Sequence, residues 1–247
     1  QSTKLAKAGF TDSDSALKLM TSTMNTFGLE GKAAMEEISD KMLITQNLGV
    51  TTVQELSGSL GGVTPIAKAA GASIDDVLSS VASLTKGGQS TEMAVTNLKG
   101  IMTSVIKPSK EAADTAKQLG IDFSVSAIKS KGFANFLEEI KEKTGGNTEV
   151  MGKLFSNTRA LNGVLALTSD EGMKSFNNTM EAMKNSTGAT DEAYETMTNT
   201  VGFKLDKLKN TSKNIFTSMM NTQSGLIGEY IDKMETWVNN NEEKIQQ

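Results

Sequence analysis

Apolar residues recur along most of this chain at steps of three and four. No window of two-residue alternation lasts long enough to make a strand, so the pattern predicts an all-α fold. Leu17, Met20, Met24 and Phe27 share one face of a first helix, opened by a capping box of Thr11 and Asp14 and ended at Gly28. A second helix carries Met35, Ile38 and Met42 as far as Asn47-Leu48-Gly49. A third starts at a capping box of Thr52 and Glu55, turns Val53, Leu56 and Leu60 inward and closes at Gly61-Gly62. Pro65 suits a first helical turn, and Ile66 to Ala70 make a small-residue helix ending at Gly71. Ser73 and Asp76 cap a stripe of Ile74, Val77, Leu78, Val81 and Leu84 that stops at Gly87-Gly88. The next helix runs from about Ser90 to Ile106, with Ala94, Leu98, Ile101, Met102 and Val105 on one face. It breaks at Lys107-Pro108, because a residue before proline resists helical geometry.

Ser109 caps a helix through Leu119, halted by Gly120. Residues 121–132, where Ile121, Phe123, Val125 and Ile128 alternate loosely, fit either an irregular connection or a short β-hairpin. Helicity resumes with Phe133, Phe136, Leu137 and Ile140, stops at Gly145-Gly146, and returns with Val150, Met151, Leu154 and Phe155, then Leu161, Val164 and Leu165. Met173, Phe176, Met180 and Met183 belong to a further helix.

From about Thr190 the texture changes. Tyr194, Met197, Val201, Leu205, Leu208, Ile215 and Met219 keep a three-four rhythm near a seven-residue repeat, which predicts one long amphipathic helix. It continues past a kink near residues 225–228 through Ile227, Tyr230, Ile231, Met234 and Val238. The expected organisation is therefore a compact bundle of short helices over residues 1–186 and a long helix over 187–247. Coiled-coil assembly and an in-fold helical hairpin both account for the long stripe. Its seven named residues are the candidate self-association surface of a homo-oligomer. Trp237 and Tyr230, seven residues apart, fit an oligomer seam and a core equally.

Composition narrows the chemistry. The 247 residues include neither cysteine nor histidine, which removes disulfides, thiolate and imidazole metal ligands, His-paired nucleophiles and histidine proton shuttles. No residue is assigned a catalytic, cofactor or metal role. Lys+Arg number 25 against 29 Asp+Glu, and this mildly acidic balance argues against a duplex nucleic-acid binder and any specific nucleic-acid partner. Two prolines, 5% aromatics and 14 methionines describe a helical chain with a soft, adaptable core. There is no run of apolar residues long enough to span a membrane and no signal-peptide pattern. The chain opens in mid-pattern without an initiator Met, which suggests a piece of something longer. Sequons such as Asn177-Asn178-Thr179 are expected by chance in a chain so rich in Asn, Ser and Thr.

Several motifs dissolve when their geometry is considered. Gly146 to Lys153 has five residues instead of four before Gly152-Lys153, and Leu154 stands where a phosphate loop needs Ser or Thr. The pairs Glu36-Glu37, Glu138-Glu139 and Glu242-Glu243 are adjacent in sequence, so on a helix each pair diverges by about 100° and reads as a solvated face. Arg159, the sole arginine, could anchor a carboxylate bidentately, although a cap or a surface ion pair is the plainer reading. Glycine pairs fall where helices end, so termination accounts for them without any anion site.

Ordered segments carry more information than any single motif. Leu5-Ala6-Lys7-Ala8-Gly9-Phe10, Glu55-Leu56-Ser57-Gly58-Ser59-Leu60 and Thr64-Pro65-Ile66-Ala67-Lys68-Ala69-Ala70-Gly71-Ala72-Ser73 are followed by Leu84-Thr85-Lys86-Gly87-Gly88. Then come Lys107-Pro108-Ser109-Lys110-Glu111-Ala112-Ala113, Leu119-Gly120-Ile121, Leu154-Phe155, Leu161-Asn162-Gly163 and Gly188-Ala189-Thr190-Asp191-Glu192-Ala193. In this order and spacing, over about residues 4–210, the chain resembles the conserved core region of phage tail tape measure proteins. It departs from the family pattern between Ser124 and Lys131, and residues 220–247 carry no family signature.

The resemblance implies a non-enzymatic structural protein of a phage, prophage or phage-tail-like bacteriocin, without cofactor. Such a protein lies as a helical multimer in the tail tube, templates its length during assembly in the bacterial cytoplasm and leaves with the genome at infection. Its implied partners are the tail tube protein, tail assembly chaperones and baseplate or tail-tip proteins. Two other classes compete. A membrane-active or pore-forming helical module would need a lysine-rich polar face, whereas the long helix mixes Asp, Glu and Lys with Thr and Asn. A hydrolase would have to work with a Ser-Lys dyad, and no Ser-x-x-Lys stretch sits in a convincing site.

Overall fold

A computed structural model of the chain describes residues 1–199, 202 and 208–210. Among them every regular element is helical. The chain divides into a compact unit, Gln1–Glu192, and a second unit, Ala193–Gln247.

The compact unit opens with α1 (Ser2–Ala8), a helix that the periodicity did not announce, whose Leu5, Ala6 and Ala8 are buried. Its end is unusual. Thr11 N–H donates to Ala6 and Phe10 N–H to Lys7, the bonding of a Schellman stop, but the left-handed position is held by Phe10 at φ 53° and not by a glycine. Gly9 is needed for a different reason: a β-carbon there would lie 2.5 Å from Val53 Cγ2.

In α2 (Ser13–Phe27) the cap is Asp12, whose carboxylate accepts from Ser15 N–H, so the expected Thr11–Asp14 capping box does not form. Met20 and Met24 are buried as expected, but Leu17 is 45% exposed and Ala16 and Leu19 are buried in its stead. Leu17 lies about 100° from Ala16, at the edge of the buried stripe and in the first turns of the helix, and so stays half exposed. Then come α3 (Gly31–Leu48), α4 (Val53–Ser59) with the Thr52–Glu55 capping box formed, a single 3-10 turn Leu60–Gly62, and α5 (Thr64–Ala70) with Pro65 in its first turn.

The centre of the unit is α6 (Ile74–Lys86), opened by the Ser73–Asp76 box and buried from Ile74 to Thr85 except at Asp75. It packs on α3 and α5 and on two later helices introduced below, α7 and α13. A helix buried all round must hide its hydroxyls. Ser80 donates to Asp76 C=O at 2.6 Å, Thr85 to Val81 C=O at 2.8 Å, and Ser83 to Gly172 C=O at 2.7 Å. The sequence is thus polar on paper and apolar in contact.

α7 (Thr91–Ile106) and α8 (Lys110–Leu119) have the expected bounds, with Ser90 and Ser109 as caps and Pro108 between them. Residues 121–132 resolve into neither an irregular connection nor a hairpin, since Ser124 caps α9 (Val125–Lys131). The apparent alternation has a packing cause: Ile121 and Phe123 are pinned inward before the helix, and Ala127 and Ile128 inside it. α10 (Phe133–Thr144), α11 (Thr148–Leu154), α12 (Thr158–Thr168) and α13 (Asp170–Lys184) complete the unit before α14 (Ala189–Thr198). Phe123, Phe133, Phe136, Phe155 and Phe176 form an aromatic cluster with neighbouring ring centroids 5.2–6.3 Å apart. Four of the five are fully buried, which concentrates much of the chain's small aromatic content at one point of the core.

Candidate functional site

The sequence directs attention to the helix that begins near Thr190, and the structure gives that beginning a definite construction. α13 ends at Asn185, and the chain turns through Gly188, whose φ of +86° is a conformation that suits glycine. α14 then starts, as any helix does, with first amides that lack partners within the helix. Two of the amides at this turn are met from another element. The Asp40 carboxylate of α3 accepts from Gly188 N–H at 2.7 Å and from Thr190 N–H at 2.8 Å. An anion at a helix N-terminus is favoured by both the hydrogen bonds and the helix dipole. Asp40 is only 3% exposed, and beside it the Ser39 and Thr190 hydroxyls, both fully buried, lie 3.0 Å apart.

Two ion pairs flank this root. Lys4 of α1 reaches Asp191 at 2.9 Å, and its hydrogen bond, opposed by slight burial, holds the Asp191 carboxyl below the usual aspartate range. Lys41 lies between Glu37 at 2.5 Å and Asp75 at 2.7 Å. Burial works against the Lys41 ammonium, but the hydrogen bonds to Asp75 and Glu37 outweigh it and hold the group above the usual lysine range. A cleft of about 670 Å³ opens beside the root, with Glu37, Asp40, Lys41, Asp75 and Asp191 on its wall. Each of these carboxylates is engaged by an amide or an ammonium, so the arrangement is suited to fastening a helix.

Of the expected self-association residues, Tyr194 and Met197 are half-buried, three positions apart on α14, and Leu208 is 49% exposed. Val201, Leu205, Ile215 and Met219 lie outside the described residues, as do the expected kink at 225–228, Tyr230, Trp237 and Glu242-Glu243. Arg159 is neither cap nor ion-pair partner: Asn157 caps α12 by accepting from Arg159 N–H and Ala160 N–H, and no carboxylate among the described residues pairs with the guanidinium. Glu37 and Glu139 do more than solvate a face, pairing with Lys41 and Lys131. Asp40, Ser39 and Lys4 were not singled out from the sequence. The available signal was a carboxylate set in the run Ile38 to Leu43, where every other position but Ser39 and Lys41 is apolar. No described helix is long and apolar enough to cross a membrane.

The chain matches the family of phage-related minor tail proteins over residues 1–156. A probable tape measure protein of Clostridium phage phiCD119 is 30% identical over 219 residues, covering 86% of this chain and 23% of that protein. The tape measure protein of Pneumococcus phage Dp-1 is 24% identical over 208 residues, covering 83% of this chain and 18% of the relative. A probable tape measure protein of Escherichia phage P2 is 23% identical over 218 residues, covering 83% and 27% respectively. The chain thus spans about a quarter or less of the length of these curated relatives. No solved structure matches it significantly.

Proposed function

Because this chain belongs to the phage-related minor tail protein family, we propose that it is the core region of a tape measure protein that templates tail tube length during assembly and leaves with the genome at infection. The observation that carries this reading is the alignment of three tape measure proteins from different phages across 83–86% of the chain. The root of α14 supports it: a length-setting helix needs a fixed origin, and Asp40 of a folded unit holds its first amides. The stripe of Tyr194, Met197, Val201, Leu205, Leu208, Ile215 and Met219 is the self-association surface in this reading, within a homo-oligomer in the tube lumen or tip. The partners are the tail tube protein, tail assembly chaperones in the bacterial cytoplasm, and baseplate or tip proteins. The role is structural, without catalysis.

The test is tail length by electron microscopy after in-frame removal of four heptads between Thr190 and Met219 in the parent particle. At about 1.5 Å per residue, about 28 helical residues correspond to about 42 Å of tail. Shortening by about that amount supports templating by this segment. Tails of unchanged length refute it and leave the region as a folded end module.

A further inference from the structure

α7 and α12 approach each other as closely as the chain permits. A β-carbon on Gly100 would lie 2.8 Å from the backbone nitrogen of Ala160, and one on Gly163 would lie 3.0 Å from Ile101 Cδ1. This contact brings together the neighbours of the two touching residues, Lys99 beside Gly100 and Arg159 beside Ala160. Both side chains, with Lys107 after the end of α7, line one open groove of about 620 Å³. Its wall holds these three cations and no carboxylate, although the whole chain carries a net charge of −4. Among the described residues none of the three enters an ion pair, a state they share with most of the described lysines, so what sets them apart is their gathering on one wall. Gathering like charges without a counter-ion costs free energy that an arriving anion would recover.

We propose that Lys99, Lys107 and Arg159 form a docking site for the carboxylates of an acidic segment on a protein partner, a surface separate from the α14 root and independent of the tape measure reading. Two features favour such a segment. The groove also contains exposed Pro108, and Ile106, 43% exposed, stands just before Lys107, so apolar side chains interleaved with the acids find contacts too. A nucleic acid would instead extend its phosphates over the acidic remainder of the surface, beginning with Glu55 and Glu92 on the next groove beyond Lys99, and be repelled there, while a short acidic segment can stay within the wall that holds no carboxylate. Arg159 supplies a planar fork for one carboxylate, and the two lysines act as point charges on others.

The test uses the full chain in physiological salt and a fluorescein-labelled peptide of alternating Glu and Leu, read by fluorescence anisotropy. Binding by the wild type that weakens about tenfold or more in Arg159→Gln, and again in Lys99→Gln/Lys107→Gln, supports the proposal. The charge-matched control Lys18→Gln/Lys143→Gln, at exposed positions outside the groove, retains wild-type affinity. All these side chains are solvent-exposed, and unchanged far-ultraviolet circular dichroism verifies each variant's fold. Absence of wild-type binding, or equal weakening in the control, overturns it. So does an equimolar single-stranded oligonucleotide or inorganic phosphate that displaces the peptide from the same residues.

Discussion

Asp40→Ala isolates what fastens α14. The substitution removes both acceptors from Gly188 N–H and Thr190 N–H. Hydrogen bonds to a charged group contribute about 1.5–3 kcal/mol each. The two amides do not suffer alike, because Gly188 is exposed and recovers water while Thr190 is fully buried and does not. The net loss is therefore expected at about 2–4 kcal/mol, a large part of the about 5–15 kcal/mol by which an ordinary domain is folded. Asp40→Asn sharpens the argument, since its carbonyl oxygen can still serve Thr190 while its NH₂ faces the rehydratable Gly188. It is expected to cost about half as much. Urea denaturation followed by circular dichroism gives both energies, and hydrogen exchange locates them: the amides of residues 186–198 lose protection first, while α6 keeps its own. If Asp40→Ala unfolds within about 0.5 kcal/mol of wild type, or if Asn costs as much as Ala, the carboxylate is not the fastening.

Phe10→Gly relieves a left-handed residue at φ 53° whose side chain is 77% exposed, so little burial is lost. The relief of about 1–2 kcal/mol exceeds the added freedom of an unfolded glycine, and the melting temperature rises by a few degrees; a fall would mean that the ring has a contact worth more than its strain. Gly100→Ala forces a β-carbon against the Ala160 backbone and is expected to lower stability by about 1–3 kcal/mol, with wild-type stability refuting the close crossing of α7 and α12. Asp191 is held below the usual aspartate range in the folded state, so its pairing contributes stability at neutral pH that disappears as pH falls through that lowered value. With both partners more than a third exposed the contribution is small, and melting-temperature profiles of wild type and Asp191→Asn that separate at neutral pH and converge as pH falls below the usual aspartate range check the direction.

Most helix bounds were legible because caps and stops are local chemistry. The boxes Ser73 with Asp76 and Thr52 with Glu55, the Ser109 cap and the Gly120 stop each act within a few residues of chain, and each occurs as read. Where local signals compete, reading failed: Thr11 and Asp12 are both good caps, and Asp12 takes the role. The segment after Gly120 misled because Ile121 and Phe123 obey the aromatic cluster, a demand set by Phe136 and Phe155 far along the sequence. The site was half legible. Gly188 to Glu192 stood out as an ordered motif, but its anchor Asp40 is 148 residues from Gly188, and no periodicity encodes a bond over that distance. Likewise Ser80 and Thr85 of α6 hide their hydroxyls by donating to the helix's own backbone, which leaves no mark in a polarity pattern.

The ion pair between Lys4 and Asp191 joins residues 187 positions apart. Entry and exit of the folded unit are therefore side by side, and the unit is a closed bight in the thread. Its contour adds almost nothing to the end-to-end reach of a longer polypeptide that contains it. Tension along such a thread pulls the two strands of the bight apart at one edge, breaking Lys4–Asp191 and the Asp40 bonds one after another, and does not shear the aromatic centre. When such a bight opens it releases many times more slack than it spanned while closed.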